Sequence, residues 1–166
     1  LRTPGQLLPP GCIYDSNRHA LMAALQRLGV EIVDLGLVRD DPAALTQALQ
    51  QAMECADAVL TSGGVSMGDA DHTRDVLAQM GEVAFWKVAM RPGRPFAFGP
   101  LRRPAPAADA GARAAAAVSA PVWLFALPGN PVAALVTFYV FAREALLRLA
   151  GATVEPMPVL QARCLM

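Results

Sequence analysis

The chain has 166 residues, a length that fits one domain with a sizeable core and leaves little room for a second. Apolar residues make up 54% and charged residues 17%, and 14 basic side chains balance 14 acidic ones to a formal charge of zero. That balance excludes a nucleic-acid groove or an anionic membrane as the general partner, so any anion must be bound locally. The longest apolar stretch, Val132 to Ala150, carries Arg143, Glu144 and Arg148, which argues for a buried helix and against a bilayer span. Cys12, Cys55 and Cys164 are odd in number, far apart and without metal-ligand spacing, as expected of reduced thiols in a cytoplasm. No secretory leader opens the chain, and the absent initiator Met predicts a fragment.

Pro4, Gly5, Pro9, Pro10 and Gly11 predict a loop leading to a short extended piece at Cys12 to Tyr14. Ser16 or Asn17 is then placed to cap a helix with Leu21, Ala24, Leu25 and Leu28 on one face and Gly29 at its exit. Val30 to Leu35 reads as a short strand. Asp41 followed by Pro42 is a strong helix start, because the carboxylate accepts an orphan N–H and proline has none to leave unsatisfied. Ala56 to Thr61 is a brief apolar run of the kind covered on both faces in a parallel sheet. A glycine loop follows, then a helix from Asp71 or His72 to Met80, an extended segment from Glu82 to Met90, and another strand from Phe96 to Gly99. Pro100 to Pro121, rich in Ala, Pro and Arg, is expected to be a mobile, functionally neutral surface loop. Val122 to Leu127 resumes as a strand, and Asn130-Pro131 opens the longest helix, which Gly151 ends. This order predicts an α/β fold with a mostly parallel sheet and helices on both faces, its ligands bound beyond the carboxyl ends of the strands.

Several constellations carry possible chemistry. In Thr61-Ser62-Gly63-Gly64-Val65-Ser66-Met67-Gly68, glycines let backbone N–H groups approach an anion and the serines add donors, though a tight turn needs glycine too. The spacing matches neither the Walker nor the dinucleotide pattern. Asp69 and Asp71 beside it suit a divalent metal or a water to be activated, or else cap the next helix. Lys87, Ala89 and Arg91 would share one face of an extended segment, with Pro92-Gly93 swinging Arg94 round toward them. The cluster reads either as a phosphate or oxyanion site or as a solvated basic face. Pro128-Gly129-Asn130-Pro131 leads a strand end into a helix N-terminus, which favours negative charge. Asp40 stands just ahead of the Asp41 cap, free to face the same crevice. Trp86 falls on the face opposite Lys87 and is expected in the core.

Five stretches, taken in order, closely resemble the molybdopterin molybdenumtransferase family, which includes MoeA and the gephyrin E domain. They are Gly11 to Arg18, Arg39 to Pro42, Thr61 to Asp71, Phe85 to Gly99 and Leu127 to Val132. The resemblance implies a MogA-like three-layer α/β sandwich over residues 1–151, its first strand missing, with 152–166 opening a C-terminal β domain. It implies molybdenum cofactor biosynthesis, in which molybdate is inserted into adenylylated molybdopterin with release of AMP and with Mg²⁺. It implies a cytoplasmic homodimer, with the adenylyltransferase as a possible partner. Asp40, Asp71, Lys87 and Arg91 take the places of functional residues, Asp40 and Asp71 as metal ligands. Ser62, Gly63, Gly64, Val65, Ser66, Gly68, Arg94 and Pro128 to Pro131 (Pro128, Gly129, Asn130, Pro131) would line the pterin pocket. Arg91 and Arg94 replace common lysines and so present forks in place of point charges. A MogA-type adenylyltransferase shares the fold, but its usual Thr-Gly-Gly-Thr-Gly loop differs from Ser62-Gly63-Gly64-Val65-Ser66. A non-catalytic scaffold is the other alternative.

Overall fold

The computed structural model describes residues 1–64, 72–103, 120–155 and 158–163. Helix α1 (Asn17–Gln26) buries Leu21 and Ala24, and the chain leaves it through Gly29 at φ +71°. Its cap is one residue earlier than the sequence suggested: Asp15 Oδ1 accepts from Arg18 N at 3.2 Å, while Ser16 is already in helical conformation and Asn17 begins the helix. Helix α2 (Pro42–Cys55) starts as expected, with Asp41 Oδ1 accepting from Ala44 N at 2.9 Å and Leu49, Ala52 and Met53 turned inward. The remaining elements are β1 (Ala58–Ser62), α3 (His72–Met80), β2 (Ala84–Lys87), β3 (Pro95–Leu101), β4 (Val122–Leu127) and α4 (Pro131–Thr137). The last helix continues through a π-helical turn at Phe138–Ala142 into α5 (Arg143–Leu149).

The four strands form one sheet in the order β1-β4-β3-β2. Central β4 is apolar throughout, and its residues alternate between two cores. Val122, Leu124 and Ala126 pack with Leu49 and Met53 of α2 and Leu77 of α3. Phe125 and Leu127 face the other way, onto Leu21 of α1 and Phe138 and Leu146 of the last helix. Helices thus cover both faces, and the α/β three-layer arrangement stands. The sheet is less parallel than expected: β1 and β4 are parallel, but β3–β4 and β2–β3 are antiparallel. The cause is loop length, since residues 88–94 are far too few for the crossover a parallel β2–β3 pair requires.

Other expectations are corrected. Val30 to Leu35 joins no ladder; Asp34 Oδ1 accepts from Gly36 N at 2.9 Å, a local turn that competes with strand pairing, and only Leu35 reaches the core. The segment expected to be a loop from Pro100 begins two residues later. Pro100 and Leu101 belong to β3, with Leu101 fully buried opposite Val122. Arg103 is also ordered by structure, donating to Met53 O at 2.9 Å and Ala56 O at 3.0 Å, where it closes the end of α2. Trp86 is 58% exposed, not core, because β2 is the edge strand and the helical layer on that face ends over β3, where Phe141 stacks on Phe96. Residues 104–119 of the Ala/Pro segment lie outside the described residues. No helix among the described residues is long and apolar enough to cross a membrane.

Arg18 ties α1 to the segment after it, donating to Asp34 Oδ2 at 2.8 Å with buried Asp15 at 3.5 Å. The Gly36 N–H, and then the Arg18 guanidinium, hold the Asp34 carboxyl below its ordinary value of 3.8, against partial burial. A carboxyl that titrates lower when folded stabilises fully above its unfolded value, and that contribution is lost as pH falls through the folded one. The urea midpoint is therefore expected to drop between about pH 5 and about pH 3, and Asp34→Asn should flatten part of that drop. An Asn variant with the wild-type acid profile would contradict the assignment.

Candidate functional site

Two antiparallel steps make β2 run in the same direction as β4, and β1 is parallel to β4, so the carboxyl ends of β1, β4 and β2 emerge at one edge of the sheet. The register aligns them. Lys87 pairs with Pro95, and continuing the Ala97–Ala126 pairing by two residues brings Pro95 level with Pro128. Gly63 follows Ser62, which pairs with Leu127, and is level with Pro128 from the other side. Lys87, Pro95, Pro128 and Gly63 therefore form one row across three strand spacings, roughly 14 Å.

The turns after β1 and β4 touch. Gly63 N donates to Leu127 O at 3.0 Å, and the backbones approach so closely that a Cβ on Gly129 would lie 3.6 Å from the Gly63 Cα. Asn17, on the first turn of α1, donates through Nδ2 to Ser62 Oγ at 2.6 Å and to Gly129 O at 2.8 Å. The Ser62 hydroxyl donates in turn to Pro128 O at 3.3 Å, so its proton is engaged within the protein and not aimed at an anion. Gly64, at φ +70°, lies against Thr73, and a Cβ there would come within 2.9 Å of the Thr73 Oγ1. That contact brings the start of α3 to the same edge. Asn130 Oδ1 accepts from Ala133 N at 3.0 Å and Pro131 takes the first helical position, so the turn enters α4 as its sequence suggested.

The basic residues reach this edge by a different path from the one expected. The pleat stops at Lys87. Met90 N donates to Val88 O at 2.8 Å and Val88 N to Arg94 O at 2.8 Å, so Lys87 and Arg91 are not placed on one face by strand alternation. Gly93, at φ +106° and buried, instead seats the loop on α4, with Thr137 Oγ1 and the Met90 methyl where a Cβ would be. Lys87, Arg91 and Arg94 are all exposed, and none makes an ion pair among the described residues.

Asp40 is exposed immediately before the α2 cap. Only Ala56 and Asp57 separate α2 from β1, and the two pack together, so α2 runs back along β1 toward its carboxyl end. Val65, Ser66, Gly68, Asp69 and Asp71 lie outside the described residues. Among the described residues no three His, Cys, Asp or Glu side chains gather as a metal cluster. Sequence reasoning missed Asn17 as a site residue. Its contacts lie 45 and 112 residues away, and the only local signal was an amide at a helix start.

The family described as a probable molybdopterin binding domain matches residues 3–148, and the chain belongs to it. A molybdopterin molybdenumtransferase of Haemophilus influenzae is 43% identical over 147 residues, covering 89% of this chain and 32% of that protein. One of a Nostoc species is 39% identical over 152 residues, covering 91% and 31%. Among solved structures, a molybdenum cofactor biosynthesis protein from Pyrococcus furiosus superimposes with a TM-score of 0.57 at 25% identity, covering 84% of this chain and 38% of that one. The chain thus spans about a third of the length of these curated relatives.

Gly93 gives a direct check on how the basic loop is seated. In Gly93→Ala the new methyl meets Thr137 and Met90 at under 3 Å and forces a positive φ on an L-residue. A loss of about 1–3 kcal/mol in equilibrium urea unfolding is expected. A change below about 0.5 kcal/mol would show that the loop is not held against α4.

Proposed function

We propose that the protein to which this domain belongs inserts molybdate into adenylylated molybdopterin and releases AMP, as a step of molybdenum cofactor synthesis. The observation that carries this reading is the row at the carboxyl edge. A glycine turn (Gly63), a proline turn (Pro128) and a cation (Lys87) stand level on neighbouring strands, with Arg91 and Arg94 in the loop beside them. Support also comes from relatives 36–43% identical that bear the name of that transferase.

In this reading Gly63, its own N–H engaged by Leu127 O, sets the turn, and the backbone N–H of Gly64, continued by Val65, Ser66 and Gly68, approaches the anionic end of the substrate. Pro128 to Pro131 form the facing wall. Lys87 supplies a compact ammonium, while Arg91 and Arg94 supply planar forks suited to two oxygens of a phosphate or of molybdate. Because the site lies at one edge of a chain with zero net charge, these cations act over short range. Asp71 together with Asp40 would orient the water that splits the phosphoanhydride or hold Mg²⁺, which when bound neutralises phosphate charge. Ser62 acts by fixing the turn. The same reading includes a cytoplasmic homodimer that receives its substrate from the adenylyltransferase, and a second, β-rich domain beginning in 152–166.

The test uses the full-length protein with adenylylated pterin and molybdate. Molybdenum insertion with stoichiometric AMP is expected; ATP-dependent adenylylation of the pterin, or no reaction, would overturn the proposal in favour of an adenylyltransferase or a scaffold. Asp71→Ala should abolish AMP release while leaving pterin binding mostly intact, and unchanged turnover would remove Asp71 from the mechanism.

A further inference from the structure

The ladder between β1 and β4 ends where the ligand turns begin. Its last backbone bond runs from Gly63 N to Leu127 O, and Pro128 has no N–H with which to extend it. Beyond that point the two turns would be joined by van der Waals contact alone, were it not for a carboxamide from a third element. Both N–H groups of Asn17 are used there, one on Ser62 Oγ and one on Gly129 O, and Ser62 passes the link on to Pro128 O. Asn17 is itself held. Asp15, 6% exposed, takes the Arg18 N–H of the same turn, and the Arg18 side chain is anchored on Asp34. The Asn17 Oδ1 is enclosed and has no hydrogen-bond partner among the described residues. An unpaired acceptor is thereby tolerated so that both donors point at the turns.

We propose that Asn17 is a positioning residue that holds the β1 and β4 turns at a fixed separation for the phosphate-bearing pterin substrate. The inference rests on the functional reading above for its ligand, but its structural half does not. The packing of α1 comes from Leu21 and Ala24, so loss of the carboxamide should loosen the turns without undocking the helix. Neutral polar links of this kind affect affinity where they preorganise a site, since a free turn must be ordered when ligand binds.

The experiment compares Asn17→Asp and Asn17→Ala in the full-length protein. Asp keeps the size but can no longer donate to Gly129 O, and its charge faces two oxygens. In both variants KM for adenylylated pterin is expected to rise about tenfold with kcat changed less than about threefold. Hydrogen exchange of the backbone around Gly63 and Gly129 should accelerate about tenfold. In a Ser62→Ala background the KM effect of Asn17→Ala should shrink, because the two residues share one link. Unchanged KM and unchanged exchange would overturn the proposal, as would a fall in kcat alone. Failure of both variants to fold would also overturn it, by placing Asn17 among the residues that hold the fold. Wild-type turnover is measured first: if the wild type inserts no molybdenum, the functional reading fails by itself, and the exchange measurement still decides whether Asn17 sets the turns.

Discussion

The parallel pairing of β1 with β4 sets Ser62 opposite Leu127, and nearly everything at the sheet's carboxyl edge follows from that register. Parallel strands release their following loops on the same side, so the glycine turn and the proline turn become neighbours although the sequence separates them by more than sixty residues. Had β1 run the other way, Gly63 and Gly64 would sit at the far edge, and no rearrangement of loops would bring them to Pro128. The same pairing leaves β4 with partners on both sides and buried on both faces, which fits its unbroken apolar sequence.

Magnitudes separate what holds the fold from what shapes the site. Each fully buried Leu or Phe on β4 contributes about 1.5–3 kcal/mol by leaving water, and Leu124, Phe125 and Leu127 are at most 1% exposed. A neutral hydrogen bond such as those of Asn17 contributes about 0.5–1.5 kcal/mol net. The core therefore fixes strand order and helix placement, and the polar contacts set only the last few residues of each strand. This division suits a binding edge. The turns are adjusted by small, local interactions while the scaffold under them is fixed by larger ones.

How much of this was legible in the sequence differs from residue to residue. The helix starts at Asp41-Pro42 and Asn130-Pro131 were readable because a cap acts within three residues, and β4 was readable because double-sided burial leaves a continuous apolar run. The reversal of β3 departs from the general α/β pattern, although the shortness of residues 88–94 already required it. Trp86 could not have been placed from its own neighbours, since whether a strand lies at the edge depends on the order of the whole sheet. The roles of Asn17 and Ser62 were beyond local reasoning for the same cause. Their partners are set by the β1–β4 register, and a carboxamide or hydroxyl gives no sign of which distant carbonyl it will meet.

On the proposed function, the cations would let such an edge favour anions without a large field. Lys87, Arg91 and Arg94 are exposed, and water screens their mutual repulsion, so holding them near one another in the free protein costs little. What the fold contributes is position. Lys87 is fixed as the last residue of β2, Arg94 precedes the first residue of β3, and Gly93, between the two arginines, is pressed on α4. On the proposed function, an anion that displaced the water above the row would lower the local dielectric and interact with these charges more strongly than they repel each other across solvent. Selectivity for an oxyanion would then come from geometry: a compact ammonium at the end of β2 and two planar forks in the loop that Gly93 seats on α4.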